Sequence, residues 1–131
     1  MTSFPTDLRY TSDHEWLRAA APDSGAWRVG ITQFAVDQLG DITLVDLPRD
    51  GDLVTKGQRF GTIESVKSVS DLYAPVSGRV TAVNAALKDS PETVNSDPYN
   101  AGWMIELEPT DKTEIDELLT PEAYGKLVAE Q

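Results

Sequence analysis

Hydrophobic positions along this chain come in short runs, each closed by a turn signal after roughly 8 to 12 residues, the rhythm of a small antiparallel β fold. Glu15-Trp16-Leu17-Arg18 reads as a short strand and Ala21-Pro22-Asp23-Ser24-Gly25 as a turn. Trp27 to Ile31 alternates as a strand. Thr32 can then cap a short helix from Phe34 to Leu39, with Ala35 and Leu39 on one face and Gly40 closing it in the left-handed conformation. Ile42, Leu44 and Leu47 resume as strand until Pro48-Arg49-Asp50-Gly51 stops them. Val54, a turn at Lys56-Gly57, and strands over Phe60–Val66 and Val69–Tyr73 follow. After a turn at Pro75–Gly78, Arg79–Ala85 reads as a strand with Val80 on one face and Thr81 and Val83 on the other. Thr93–Ala101, rich in Asn, Ser, Asp and Pro, reads as a loop before a last strand at Trp103–Leu107.

Beyond that strand the period changes from two to three and four. Asp111 or Thr113 can cap a helix bearing Ile115, Leu118 and Leu119. Thr120-Pro121-Glu122 is a stronger start signal, leading to Tyr124, Leu127 and Val128 on one face. The expected architecture is a mainly β domain over residues 1–131. Its β core spans about 8–108, with one short internal helix and a C-terminal helical segment at about 111–130.

Charge narrows the partners. The 22 acidic residues against 11 Lys and Arg give a formal net charge of −11. Such a surface repels phosphate backbones and anionic membranes and steers toward basic surfaces. Cysteine is absent, which removes disulfides, thiolate chemistry and Cys-based metal sites. No apolar run approaches the roughly 20 residues that span a bilayer. The first ten residues carry neither a secretory core nor an Arg-rich transit pattern, so a cytoplasmic location is expected. No Ser/His/Asp set, Gly-rich phosphate loop or metal cluster is visible, so the chain does not read as an enzyme.

One segment stands apart. The runs before and after Lys67 contain no Gly or Pro between Ile63 and Tyr73, so both arms can pair and leave Lys67 at a hairpin tip. A long amine projecting into solvent suits a swinging arm, although an exposed turn lysine is by itself ordinary. Its reference pKa of about 10.4 keeps it charged until it is acylated.

Around that lysine, Glu64-Ser65-Val66-Lys67 with Ser70-Asp71 resembles the lipoylation motif of the glycine cleavage H proteins. In the expected order come Tyr10-Thr11, His14-Glu15-Trp16, Gly30-Ile31-Thr32 with Ala35, and Leu39-Gly40-Asp41. They continue with Leu47-Pro48, Gly51, Pro75-Val76-Ser77-Gly78, Val83-Asn84, Asn95, Pro98-Tyr99 and Gly102-Trp103-Met104. The resemblance spans residues 8 to 128. Biotin carriers, which place Met on both sides of the lysine, fit worse against Val66 and Ser68. So do the shorter lipoyl domains of 2-oxo-acid dehydrogenases, with Asp before the lysine and Ala after it.

The resemblance implies a barrel-sandwich hybrid of the lipoyl/biotinyl-carrier type, a lipoyl group on Lys67, and Glu64, Ser65 and Val66 as motif flank. It implies a non-catalytic shuttle. A pyridoxal-phosphate glycine decarboxylase (P protein) would load an aminomethyl group onto the arm. A tetrahydrofolate-dependent aminomethyltransferase (T protein) would unload it, and dihydrolipoamide dehydrogenase (L protein) would reoxidise the dithiol. Lipoate-attaching enzymes are the remaining partners, the protein is expected to be a monomer, and a mitochondrial matrix location would apply to a processed form. Glu15 and Asp71, with Asp13 as a third, are implied as carboxylates for the cationic end of the loaded arm. His14, the single histidine, offers no ligand set and is expected to orient the opening segment, while Trp16, Trp27 and Trp103 read as core or rim aromatics. Departures from the family pattern are Ser68-Val69 after the lysine, Asp13 where several members have Ser, and a longer stretch at Ala19–Ala26. A lipoate relay and an unmodified β-rich interaction module are the competing roles.

Overall fold

The computed structural model describes residues 5–20 and 25–130. Strands run β1 Arg9–Tyr10, β2 Glu15–Ala19 and β3 Trp27–Ile31, then helix α1 Gln33–Leu39. β4 Ile42–Asp46, β5 Leu53–Val54, β6 Arg59–Ser65, β7 Val69–Tyr73 and β8 Gly78–Val83 follow. One-turn helices α2 Ala86–Asp89 and α3 Thr93–Ser96 precede β9 Ile105–Pro109, α4 Thr113–Asp116 and α5 Pro121–Ala129. The expected turn at Ala21–Gly25 and the longer stretch around it lie, but for their ends, outside the described residues.

All ladders are antiparallel. One sheet has the order β1-β2-β3-β9-β8-β5 and the other β4-β6-β7. Among the described residues no ladder joins them into a closed barrel; they meet through a shared core instead. Leu17, Val29, Val80 and Leu107 from the larger sheet pack with Ile42, Val45, Ile63 and Leu72 from the smaller. A second cluster of Leu8, Tyr10, Trp16 and Tyr124 joins the opening segment to α5. There Tyr10 and Tyr124 stack at 4.6 Å between ring centroids, tilted by 7°.

The caps form as their residues dictate. Thr32 Oγ1 accepts from the Ala35 N–H at 3.3 Å, and Thr120 Oγ1 from the Ala123 N–H at 3.2 Å, each meeting a donor the helix leaves unpaired. Gly40 ends α1 at φ +80° and ψ −151°, a region that an L side chain resists.

Three local expectations are corrected. Val80 and Val83 share a face rather than opposing each other: a bulge between Val80 and Ala82 absorbs Thr81, so Val80 pairs with Leu107 and Val83 with Ile105. Thr93–Ala101 is not all loop, because α3 drives Val94 fully into the core, and α2 does the same with Leu87. One buried residue per helix leaves no period to read, so the sequence predicts one internal helix where the described residues form three. The last strand begins at Ile105 instead of Trp103, since the buried Asn84 amide takes the Ala101 and Trp103 carbonyls at 2.9 and 2.7 Å.

Candidate functional site

Lys67 stands at the tip of the β6–β7 hairpin. The ladder runs through Thr62–Asp71, Ile63–Ser70 and Glu64–Val69, and the Ser65 N–H donates to the Ser68 carbonyl at 2.8 Å, leaving Val66 and Lys67 as the loop. Such short loops ordinarily demand positive φ, yet among the described non-glycine residues only His14 has it. Ser65 supplies the missing restraint: its Oγ accepts from the N–H groups of Lys67 and Ser68, both at 3.2 Å. Lys67 is exposed, as are Val66 at 68% and Val69 at 63%. Glu64 lies in the ladder between Leu44 and Val69.

The tip is also tied from outside. The Val66 N–H donates to the Asp41 carbonyl at 3.0 Å. Asn95 on α3 fixes that joint by donating to the Gly40 carbonyl and accepting from the Ile42 N–H, both at 2.9 Å. The lysine stem crosses Gly40 so closely that a Cβ there would meet Lys67 Cε at 2.9 Å. Gly40 therefore has a second duty beyond ending α1, one that depends on a residue 27 positions away.

Beside the hairpin opens a cavity of about 280 Å³. Its walls include Ile31, Phe34, Leu39 and Leu72, and three carboxyl residues face it: Asp13, Glu15 and Asp71. Residues from β2, α1 and β7 thus meet in one space. Glu15 is 2% exposed. Its Oε1 accepts from the Thr11 hydroxyl at 2.9 Å and its Oε2 from the Tyr73 N–H at 3.0 Å. Burial pushes its pKa up to about 8 against those two hydrogen bonds, and Asp13 adds to the rise. Asp71 and Asp13 are exposed at the mouth. Asp71 lies 3.9 Å from Arg59, an exposed and weak pair, and accepts a long 3.4 Å bond from the Tyr73 hydroxyl. Thr11 and Tyr73 hold the Glu15 carboxyl; the sequence offers Thr11 only as part of the opening Tyr10-Thr11 and Tyr73 only as a strand end, and assigns neither to that carboxyl.

His14 is placed by the C-terminal helix. Its Nδ1 lies 2.8 Å from the Tyr124 hydroxyl, which bonds Thr32 Oγ1 at 2.7 Å, and its ring packs on Phe34 at 4.6 Å. The opening segment that carries Asp13 and Glu15 is therefore pinned to α1 and α5 together. A larger cavity, about 350 Å³, contains none of these acids.

Known proteins resemble this chain over nearly its whole length. The profile of the glycine cleavage H-protein family matches residues 8–131. A glycine cleavage system H protein of Listeria monocytogenes serotype 4a is 52% identical over 126 residues, covering 96% of this chain and 98% of that one. A probable glycine cleavage system H protein of Haloarcula marismortui is 54% identical over 120 residues, 92% of each. A crystal structure of the H protein from Mycobacterium marinum superposes with a TM-score of 0.87 at 43% identity, covering 96% and 99% of the two chains. The chain belongs to the glycine cleavage H-protein family, whose members are lipoyl-bearing shuttles of that system and not enzymes.

Proposed function

We propose that Lys67 bears the lipoyl group as an amide at Nζ, and that Glu15 and Asp71, with Asp13 at the mouth, receive the cationic end of the loaded arm. The observation that carries this reading is an uncovered lysine on a tightly held hairpin tip beside a cavity into which three carboxyl residues converge. Lipoylation passes the lipoyl group from its adenylate, made with ATP, to the neutral Nζ amine: the C–N bond forms as AMP leaves, and from ammonium to amide the nitrogen gives up two protons and its charge. The bound arm supplies a disulfide that can be opened, loaded and closed again. Everything else falls to the chain.

Ser65 and the Asp41 carbonyl hold the tip so that the arm leaves from a fixed point. Ile31, Phe34 and Leu72 offer the arm an apolar wall that excludes water. Glu15, whose pKa burial pushes up to about 8, is drawn toward its ionised form when an ammonium docks. Glu64, Ser65 and Val66 flank the lysine on the surface that lipoate-attaching enzymes must approach. The partners at the loaded arm are glycine decarboxylase, aminomethyltransferase and dihydrolipoamide dehydrogenase, met in the cytoplasm. The net charge of −11 steers the protein toward basic docking surfaces on them.

Incubation with a lipoate ligase, lipoate and ATP, read by intact mass and peptide map, tests the attachment. One lipoyl increment on Lys67, absent from Lys67→Arg, is expected. No increment from a ligase active on another acceptor would overturn the assignment. The shelter has a separate test: release of the aminomethyl group should be faster from Glu15→Ala and Asp71→Ala, and equal decay in parent and variants would remove their role.

A further inference from the structure

We propose that the cleft between Trp16, Arg18, Arg28 and Trp103 binds a small molecule carrying a carboxylate or phosphate group. The cleft has a volume of about 350 Å³ and is closed by Tyr99 and Asn100. It shares no residue with the cavity beside Lys67, so it does not depend on the carrier reading.

Arg18 and Arg28 are direct partners across the β2–β3 ladder. Like charges directly opposite one another on neighbouring strands repel and destabilise the pair. The chain has only 11 basic residues against 22 acidic ones, so chance composition disfavours the pairing. Both guanidiniums lie on indoles: Arg18 Cζ is 5.1 Å from the Trp16 ring centre and Arg28 Cζ is 4.8 Å from that of Trp103. Stacking holds each planar fork in place before a ligand arrives, which lowers the entropy lost on binding.

Arg28 has most of its donors to spare, and Arg18 keeps a second N–H on each Nη. A guanidinium has five N–H donors. Arg18 Nη1 donates to Asn100 Oδ1 at 3.2 Å and Nη2 to the Tyr99 carbonyl, while its Nε is buried and has no partner among the described residues. Among the described residues, Arg28 makes one long hydrogen bond, from Nε to Glu106 Oε2 at 3.4 Å. Glu106 is the charged residue facing Arg28 across β9, so two cations meet one anion there. An oxyanion placed between the forks would satisfy donors and cancel the repulsion in one step. The volume suits a small ligand rather than a protein segment, and the flanking aromatic rings suit a flat one.

The test uses the full chain labelled with ¹⁵N-tryptophan. Sodium phosphate and sodium benzoate are titrated separately, with sodium chloride holding the ionic strength constant. The indole N–H signals of Trp16 and Trp103 should shift saturably with at least one probe. That of Trp27, which packs on the core instead, should stay still. Saturation by phosphate alone, benzoate alone or both assigns the group recognised. Arg28→Gln alters a partly exposed residue, so the fold is retained, and it should weaken binding by about tenfold. No saturation by either probe up to tens of millimolar, or an unchanged response in Arg28→Gln, would overturn the proposal.

Discussion

The hairpin tip and the acid cavity lie side by side but are built by opposite means. The tip is made of consecutive residues, is exposed, and takes its shape from Ser65 and from an outside bond to Asp41. The cavity is made of residues from β2, α1 and β7, holds a buried carboxyl, and rests on a network that reaches α5 through His14 and Tyr124. Presenting a group to other proteins needs exposure and few contacts. Sheltering one needs burial, and burial needs distant parts of the chain to arrive together.

Substitutions should separate the two regions. Tyr124→Ala empties a fully buried site and cuts the bond to Thr32, so a loss of about 3–5 kcal/mol is expected in chemical denaturation. Lysine modification of the protein that still folds should be unchanged, while aminomethyl retention falls. If modification falls equally, the two regions are not separable.

Glu15→Gln comes next, and its effect depends on pH. The folded pKa of Glu15, about 8, lies above its ordinary 4.5, so the folded state holds the extra proton between those values. Its contribution is fully present below the lower value and is lost as the pH rises through the upper one. The variant should therefore match the parent near about pH 5 and exceed it by a few kcal/mol near about pH 9. A constant difference at both pH values would show that burial does not hold the proton on Glu15.

Gly40→Ala sharpens the contact between the regions. The backbone there is nearly reserved for glycine and the new methyl meets the Lys67 stem, so a cost of about 1–3 kcal/mol and slower ligation are expected. Ligation at the parent rate would mean that the stem has no preferred path. The smallest effect belongs to Ser65→Ala. Losing the acceptor for two exposed N–H groups should cost about 0.5–1.5 kcal/mol and slow ligation without altering aminomethyl decay.

The same contrast explains what could be read from the sequence. The hairpin, the Thr32 and Thr120 caps and the strand rhythm are local, and local patterns carry them. The helix around Val94 is invisible because Asn, Ser and Asp look like loop residues until one valine has a core to enter. The bulge at Thr81 is invisible because an alternating pattern does not show where one residue drops out. Within the cavity, the residue types of Asp13, Glu15 and Asp71 were legible through resemblance alone. Nothing in the spacing shows that Glu15 is buried and held by Thr11 and Tyr73, since that depends on β7 returning alongside β2.

The stacking of Tyr10 on Tyr124 has a consequence for the order of events during synthesis. The ribosome releases the hairpin residues well before Leu119 and Tyr124, yet Tyr10 needs both, exchanging backbone bonds of 2.9 and 2.8 Å with Leu119. A nascent chain thus holds every residue of the modifiable tip before it can lock the segment carrying Glu15. A chain truncated after Thr110 should accept lipoate yet fail to retain cargo, making the final turns of helix the step that converts an acceptor into a vessel.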